Sequence, residues 1–193
     1  MLHSEFVRKM VIRMKELKDL VSKSLVLYEA DRIQSRHIIA TLQKSTLRTE
    51  CGFPGPPRII SRNNPERSIS QENIEAHREH FKKLQQVQGY LNIVFWSEDE
   101  FEYGCCSEHF AEKEIKFRDI LHEMKLFLLN SGVSFEMTDE MDANFENSCD
   151  YLKSMRNRFQ RFCRDYLILK DTETFCEELI RACSCYECVE EHD

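Results

Sequence analysis

One stretch of the chain, residues 144 to 170, constrains the fold most, because it contains no Gly or Pro. Its apolar residues recur at steps of three and four, which places them along one face of a helix. With Asn144 as the N-cap, the pattern predicts a single helix over 145–170, about seven turns long. The apolar face comprises Phe145, Cys149, Leu152, Met155, Phe159, Phe162, Cys163, Tyr166 and Leu169.

Three other segments repeat this spacing and predict long helices over 4–31, 70–96 and 108–130. Ser68 or Ser70 is expected to cap the second, and Gly132 suits the end of the third. A capping-box pattern that begins at Thr174 predicts a short additional helix over 174–183. In the first helix the apolar stripe comprises Val7, Met10, Met14, Leu17, Val21, Leu25 and Tyr28.

The long connection over 32–69 bears on the topology. Its proline-rich part, 51–57, forbids regular structure, whereas 33–42 suits a turn or two of helix. A connection of this length can run back along a bundle and so permits two consecutive parallel helices. We therefore predict one all-α domain over 1–193, a long-chain four-helix bundle with up-up-down-down topology, a long first crossover loop and a short extra C-terminal helix.

The composition excludes several classes of function. The formal net charge is -7, and Lys and Arg are scattered over helix faces, which argues against nucleic-acid binding. No apolar run approaches the roughly 18 residues that cross a bilayer, so membrane insertion is not expected. Charges at Glu5 and Arg8 interrupt the apolar core that a signal peptide needs, so we expect either another export route or a mature chain.

Few residue patterns indicate chemistry. The chain has no nucleophile elbow, no P-loop and no His-Glu-x-x-His motif, so we expect neither an enzyme nor a cofactor. His77 and His80 lie one turn apart on a predicted helix. Metal-binding bundles require matching Glu and His ligands on several helices, however, and we therefore expect no metal there.

The nine cysteines leave the compartment open. A cluster near the C-terminus has three interpretations: a zinc site, disulfides to cysteines elsewhere, or free thiols. The cluster comprises Cys183, Cys185 and Cys188, with Cys176 or His192 nearby, and the disulfide partners available are Cys51, Cys105, Cys106, Cys149 and Cys163.

The run ENIEAHR at 72–78, together with residues of the predicted fourth helix, resembles the cytokine family of ciliary neurotrophic factor and leukaemia inhibitory factor, the interleukin-six type. Where this chain has residues 72–78, the family has Glu-Asn-Leu-Gln-Ala-Tyr-Arg. The end of the first predicted helix and the Cys-Gly pair at 51–52 are also similar. In the fourth helix the matching residues are Phe145, Glu146, Leu152, Lys153, Gln160 and Arg164.

The resemblance implies a secreted or released monomer that binds class I cytokine receptor chains, including the family's shared signalling receptor. The family inserts a Phe-x-x-Lys pair, at the start of its last helix, against a receptor domain. Phe145 matches the aromatic residue and Glu146 follows it, but Ser148 replaces the Lys, so the charged half of this contact is missing. In the alternative interpretation, Phe145 simply caps the bundle core.

By the same reasoning, the outward faces of the first and third helices are expected to form one composite receptor site. An ordinary solvated surface is the alternative for each residue. The residues are Arg8, Lys9, Ile12, Glu16, Asp19, Glu112, Lys116, Asp119 and Glu123.

A second class of function fits the same residues, namely an intracellular all-helical adaptor whose cysteines stay reduced. The cytokine would act outside the cell, whereas the adaptor would be cytoplasmic. Disulfides in the native protein would count against the adaptor.

Overall fold

The computed structural model describes residues 3–60, 69–100, 107–134 and 143–184, and within these ranges it contains helices and no β-strand. The predicted all-α class is confirmed. The helices are α1 (His3–Leu27), which continues into a π-helical turn (Tyr28–Ile33), α2 (Arg36–Lys44), α3 (Leu47–Glu50), α4 (Gln71–Glu100), α5 (Ser107–Asn130), α6 (Ala143–Lys153) and α7 (Arg158–Ser184).

Helix α1 has a wide buried face. All seven residues of its predicted stripe are buried, and Phe6, Val11 and Leu20 widen the buried face. The wide face arises because α1 packs on two neighbours, α7 and α5. Since a fully buried Leu or Met side chain contributes about 1.5–3 kcal/mol, this face is a main source of stability.

Four pairs of long helices pack together: α1 with α7, α1 with α5, α4 with α5, and α4 with α7. Ion pairs at their edges are exposed and contribute about 0–1 kcal/mol each, so the apolar core holds the helices together. Representative contacts are Lys18–Glu177 (2.7 Å) between α1 and α7, Glu16–Lys116 (2.6 Å) between α1 and α5, Phe95–Phe110 (ring centroids 5.5 Å apart) between α4 and α5, and Ser97–Arg164 between α4 and α7.

The last part of the chain differs from the prediction. The single helix expected over 145–170 is two helices, since α6 ends at Lys153 and α7 begins at Arg158. The separate short helix expected over 174–183 is part of α7. Thr174 does not cap it, because its hydroxyl donates to the carbonyl of Lys170 one turn earlier, as in a helix interior.

The long first connection contains more helix than predicted. Two neighbouring residues of α7 hold its short helices α2 and α3. Lys170 donates to the carbonyl of Leu42 (3.1 Å) at the end of α2, and Asp171 accepts from the amide of Leu47 (2.6 Å) and the hydroxyl of Thr46 (2.9 Å) at the start of α3. The cation meets a helix C-terminus and the carboxylate meets an N-terminus, as the helix dipoles favour.

The ends of α4 and α5 follow the sequence signals in part. The Ser70 hydroxyl accepts from the amide of Asn73 (3.2 Å) and caps α4, while Ser68 lies outside the described residues. Helix α4 continues past Ser97, whose hydroxyl donates to the carbonyl of Ile93. Gly132, with φ +83°, adopts the left-handed conformation expected just after α5.

Candidate functional site

The site is built around the break between α6 and α7, residues 154–157. The Ser154 hydroxyl donates to the carbonyl of Tyr151 (2.6 Å) and helps to end α6. The Asn157 side chain accepts from the amides of Phe159 (2.9 Å) and Gln160 (3.2 Å), so it is the N-cap of α7. Local polar side chains therefore end one helix and start the next without Gly or Pro.

A buried charged residue fixes the break from inside. Arg164, which is 2% exposed, donates from Nη1 to the carbonyl of Leu152 (2.8 Å) near the end of α6. Its Nε donates to Asp165 Oδ1 (2.7 Å), and its Nη2 donates to the hydroxyl of Ser97 on α4. One guanidinium thus joins α4, α6 and α7.

This network stabilises a particular geometry more than it stabilises folding itself. Taking an ion pair out of water costs several kcal/mol per ion, and good geometry with further hydrogen bonds only offsets that cost. Removing one partner leaves the other charge buried without compensation. The contacts of Arg164 are directional and reach three helices, so they define where α6 stops.

A groove of about 560 Å³ opens beside the break. Its floor is apolar and is formed by α3, Cys51, α6, the break itself and α7. Tyr151 and Phe159 stand at its edge and are 61% and 45% exposed, which is unusual for aromatic side chains. The floor includes Leu47, Cys51, Leu152, Met155, Cys163 and Leu167.

One exposed cation lines this groove. Arg156 lies in the break, is exposed, and forms no ion pair with a carboxylate of the described residues. Lys153 lines a separate groove between α4 and α6 instead. The groove at the break therefore combines apolar and aromatic side chains with one exposed arginine.

The predicted receptor residues lie on two helices that pack together, α1 and α5, and ion pairs join some of them. Glu123 of α5 pairs with Lys9 (2.7 Å) and also with Arg13 (2.7 Å), which the sequence prediction omitted. Most members are exposed, although Lys116 and Glu123 are half-buried. The surface, called here the α1–α5 face, comprises Arg8, Lys9, Ile12, Glu16, Asp19, Glu112, Lys116, Asp119 and Glu123.

Phe145 lies outside this surface, because it is buried between α6 and α4. Its ring packs edge-on against Tyr90, with centroids 5.2 Å apart, and a Cβ at Gly89 would lie 2.4 Å from it. The structure therefore agrees with the alternative interpretation, in which Phe145 belongs to the core. A receptor contact through Phe145 stays a prediction. Glu146 beside it is exposed and Ser148 is half-buried.

A histidine cluster lies where α1, α4 and α5 meet. His3 and His77 are hydrogen-bonded through their Nε2 atoms, 3.0 Å apart, and His80 Nε2 is 2.6 Å from the carbonyl oxygen of Arg58. Burial, with smaller contributions from His80 and His3, lowers the pKa of His77 well below its ordinary value. In the described part of the chain, no group of three or more His, Cys, Asp or Glu side chains could hold a metal ion.

Five cysteines lie within the described residues, and no disulfide joins any two of them. Cys176 is fully buried, and burial raises the pKa of its thiol. Such a thiol behaves as a small apolar side chain. The other members of the predicted C-terminal cluster, Cys185, Cys188 and His192, lie outside the described residues, as do Cys105 and Cys106.

Comparison with known proteins adds no relationship. No family model, curated protein or solved structure matches the chain. The cytokine resemblance therefore remains a prediction from individual residues. Within the described ranges, no helix is both long enough and apolar enough to cross a membrane.

Proposed function

We propose that this protein is a helical cytokine, secreted or released from cells, that binds and assembles class I cytokine receptors. The observation that supports this best is the set of contacts among the long helices. Helix α1 packs on α5 and α7, and α4 packs on the same two helices. Neighbours of this kind are expected when the first two long helices lie diagonally across a four-helix bundle.

The residues in contact also support an up-up-down-down direction of the helices. His3 and His77, near the starts of α1 and α4, touch each other, which favours parallel directions for these helices. Phe127, near the end of α5, stacks on Phe6 near the start of α1, with centroids 3.8 Å apart. Cys183, near the end of α7, lines the same small cavity as His77. These contacts favour the opposite direction for α5 and α7.

The α1–α5 face is the receptor surface that we propose. It presents one large apolar side chain, Ile12, which is 52% exposed among charged residues on both helices. An apolar residue surrounded by charges resembles the arrangement of protein interfaces, in which a few central residues supply most of the affinity. The ion pairs of Glu123 with Lys9 and Arg13 connect the two helices at that surface.

A signalling assay tests this function. Purified protein is added to cells that carry class I cytokine receptors of its own species, including the family's shared signalling receptor, and transcription-factor phosphorylation is recorded. Ile12→Asp is expected to lower the potency by about tenfold or more. Ile59→Asp is the matched control, because Ile59 is also an exposed apolar residue, 64% exposed, but belongs to neither α1 nor α5.

An equal loss in both variants would contradict the α1–α5 face as the receptor surface. Silence of the unmodified protein on every receptor combination would contradict the cytokine. The second candidate function, an intracellular adaptor, is favoured by the absence of disulfides among the five described cysteines. Alkylation and mass analysis of protein from its native source tests it, and disulfides there would count against the adaptor.

A further inference from the structure

We propose a second interaction surface, the groove at the α6–α7 break, which binds a segment of a partner protein that carries an apolar side chain beside an acidic residue. Such binding suits a cytokine and an adaptor equally. It therefore goes beyond the function proposed above and does not depend on it.

The first reason is that side chains build the break. Asn157 caps α7, Ser154 binds the last turn of α6, and Arg164 reaches the Leu152 carbonyl while it also contacts Asp165 and Ser97. A continuous helix would satisfy the same backbone groups without burying a charged pair. Specific side-chain contacts therefore fix the break, and the concave surface beside it is a defined feature of the fold.

The second reason is the exposure of two aromatic side chains at one groove. Tyr151 and Phe159 flank the break and lose contact with water only if something covers them. Tyrosine, with its large rigid ring and polar end, is among the residues that most often supply affinity at protein interfaces. The apolar floor beneath them is the environment that an inserted Leu, Phe or Trp side chain prefers.

The third reason is charge, which indicates the chemistry of the occupant. Arg156 lines the groove, is exposed, and forms no ion pair with a carboxylate of the described residues. An acidic group on a partner would supply that ion pair and would orient its approach. An acidic segment with one apolar anchor therefore matches both the floor and the rim of the groove.

Selection from a displayed library of random short peptides on the full chain tests the proposal, followed by fluorescence anisotropy with the enriched peptides. The enriched peptides are expected to combine Asp or Glu with Trp, Phe or Leu. Their affinity is expected to fall about tenfold or more in Phe159→Ala and in Arg156→Glu. Leu126→Ala is the matched control, because Leu126 is an equally exposed apolar residue on α5 and is expected to change nothing.

Three outcomes would overturn the proposal. One is that no peptide is enriched by protein whose circular dichroism is helical. Another is that enriched peptides lack acidic residues or bind both groove variants as tightly as the unmodified chain. A third is that vesicles of phosphatidylcholine with phosphatidylserine bind in a manner that the groove variants abolish while no peptide binds, which would identify the groove as a membrane contact.

Discussion

Helix α1 and the α6–α7 pair carry apolar stripes of equal regularity, yet only α1 is continuous over that length. The charged residues of α1 stay outside, whereas Arg161, Arg164 and Asp165 of α7 are buried. Buried donors and acceptors require partners, and Arg164 finds one in the carbonyl of Leu152. A regular apolar stripe thus predicts which face of a helix is buried, but it does not predict that the helix is unbroken.

The largest expected effect concerns the charged network at the break. Arg164→Met is expected to lower the free energy of unfolding by about 3–5 kcal/mol, because the carboxylate of Asp165 is then buried without its cation. Urea denaturation measures the change. The double variant Arg164→Met, Asp165→Leu is expected to recover much of the loss, and no recovery would contradict the assigned pairing.

A similar loss is expected in α1 for an entirely apolar reason. Leu17→Ala is expected to lower the free energy of unfolding by about 2–5 kcal/mol, since Leu17 is fully buried and its removal leaves a cavity. Ile12→Ala on the outer face of the same helix is the control and is expected to change stability by less than about 0.5 kcal/mol. Equal effects of the two substitutions would show that the buried face of α1 is misassigned.

Lowering the pH tests the histidine cluster at the start of α1. The pKa of His77 is lowered well below its ordinary value, mainly by burial, and burial lowers the pKa of His80 to about 4. Below about pH 6.5 the unfolded chain therefore binds protons that the folded chain does not, so stability is present at pH 7 and falls as the pH falls. Between pH 7 and pH 5, His80 alone is expected to account for a loss of about 2 kcal/mol.

Urea denaturation at the two pH values measures this loss. The substitution His77→Phe keeps a ring against Phe6 and Phe127 and removes the proton-binding group. It is expected to reduce the pH dependence by about half. A pH dependence as steep as that of the unmodified chain would contradict the burial of a neutral His77.

A smaller effect tests how closely α6 packs on α4. Gly89→Ala is expected to cost about 1–3 kcal/mol, because the new Cβ would overlap the ring of Phe145. In a Phe145→Leu background the same substitution is expected to become neutral or stabilising, since Ala favours a helix by about 1 kcal/mol over Gly. Denaturation of the four chains measures the coupling, and equal effects of Gly89→Ala in both backgrounds would contradict the contact.

The smallest effect concerns the cap at the start of α7. Asn157→Ala is expected to lower the free energy of unfolding by about 1 kcal/mol, because two backbone amides lose their acceptor. Asn157→Asp keeps an acceptor and is expected to retain most of the stability. If Asn157→Ala is as stable as the unmodified chain in thermal denaturation, Asn157 is not the cap.

Much of the fold can be predicted from the sequence because local signals agree with it. The stripe of α1 and the left-handed Gly132 after α5 follow from spacing and backbone preference alone. The break also has local signals, since Ser154 and Asn157 are residue types that favour helix ends. They were outweighed by an apolar pattern that continues across them.

The remaining features depend on residues far apart in the sequence. Ser97 belongs to a residue type that favours helix ends, but α4 continues past it and Arg164 of α7 donates to its hydroxyl. The sequence favours Phe145 as an exposed anchor, whereas the structure places its ring in the space that Gly89 leaves on α4. Neither pairing produces a periodic signal, because each joins a single residue of α4 to one of the last two helices. For the same reason the groove could not be found from the sequence.

Backbone chemical shifts across residues 143–170 test most directly that the last helix is broken. The Cα shifts are expected to be helical over Ala143–Lys153, to return toward non-helical values at residues 155–157, and to be helical again from Arg158 onward. An unbroken run of helical shifts from residue 145 to residue 170 would contradict the break, and with it the groove that the break forms.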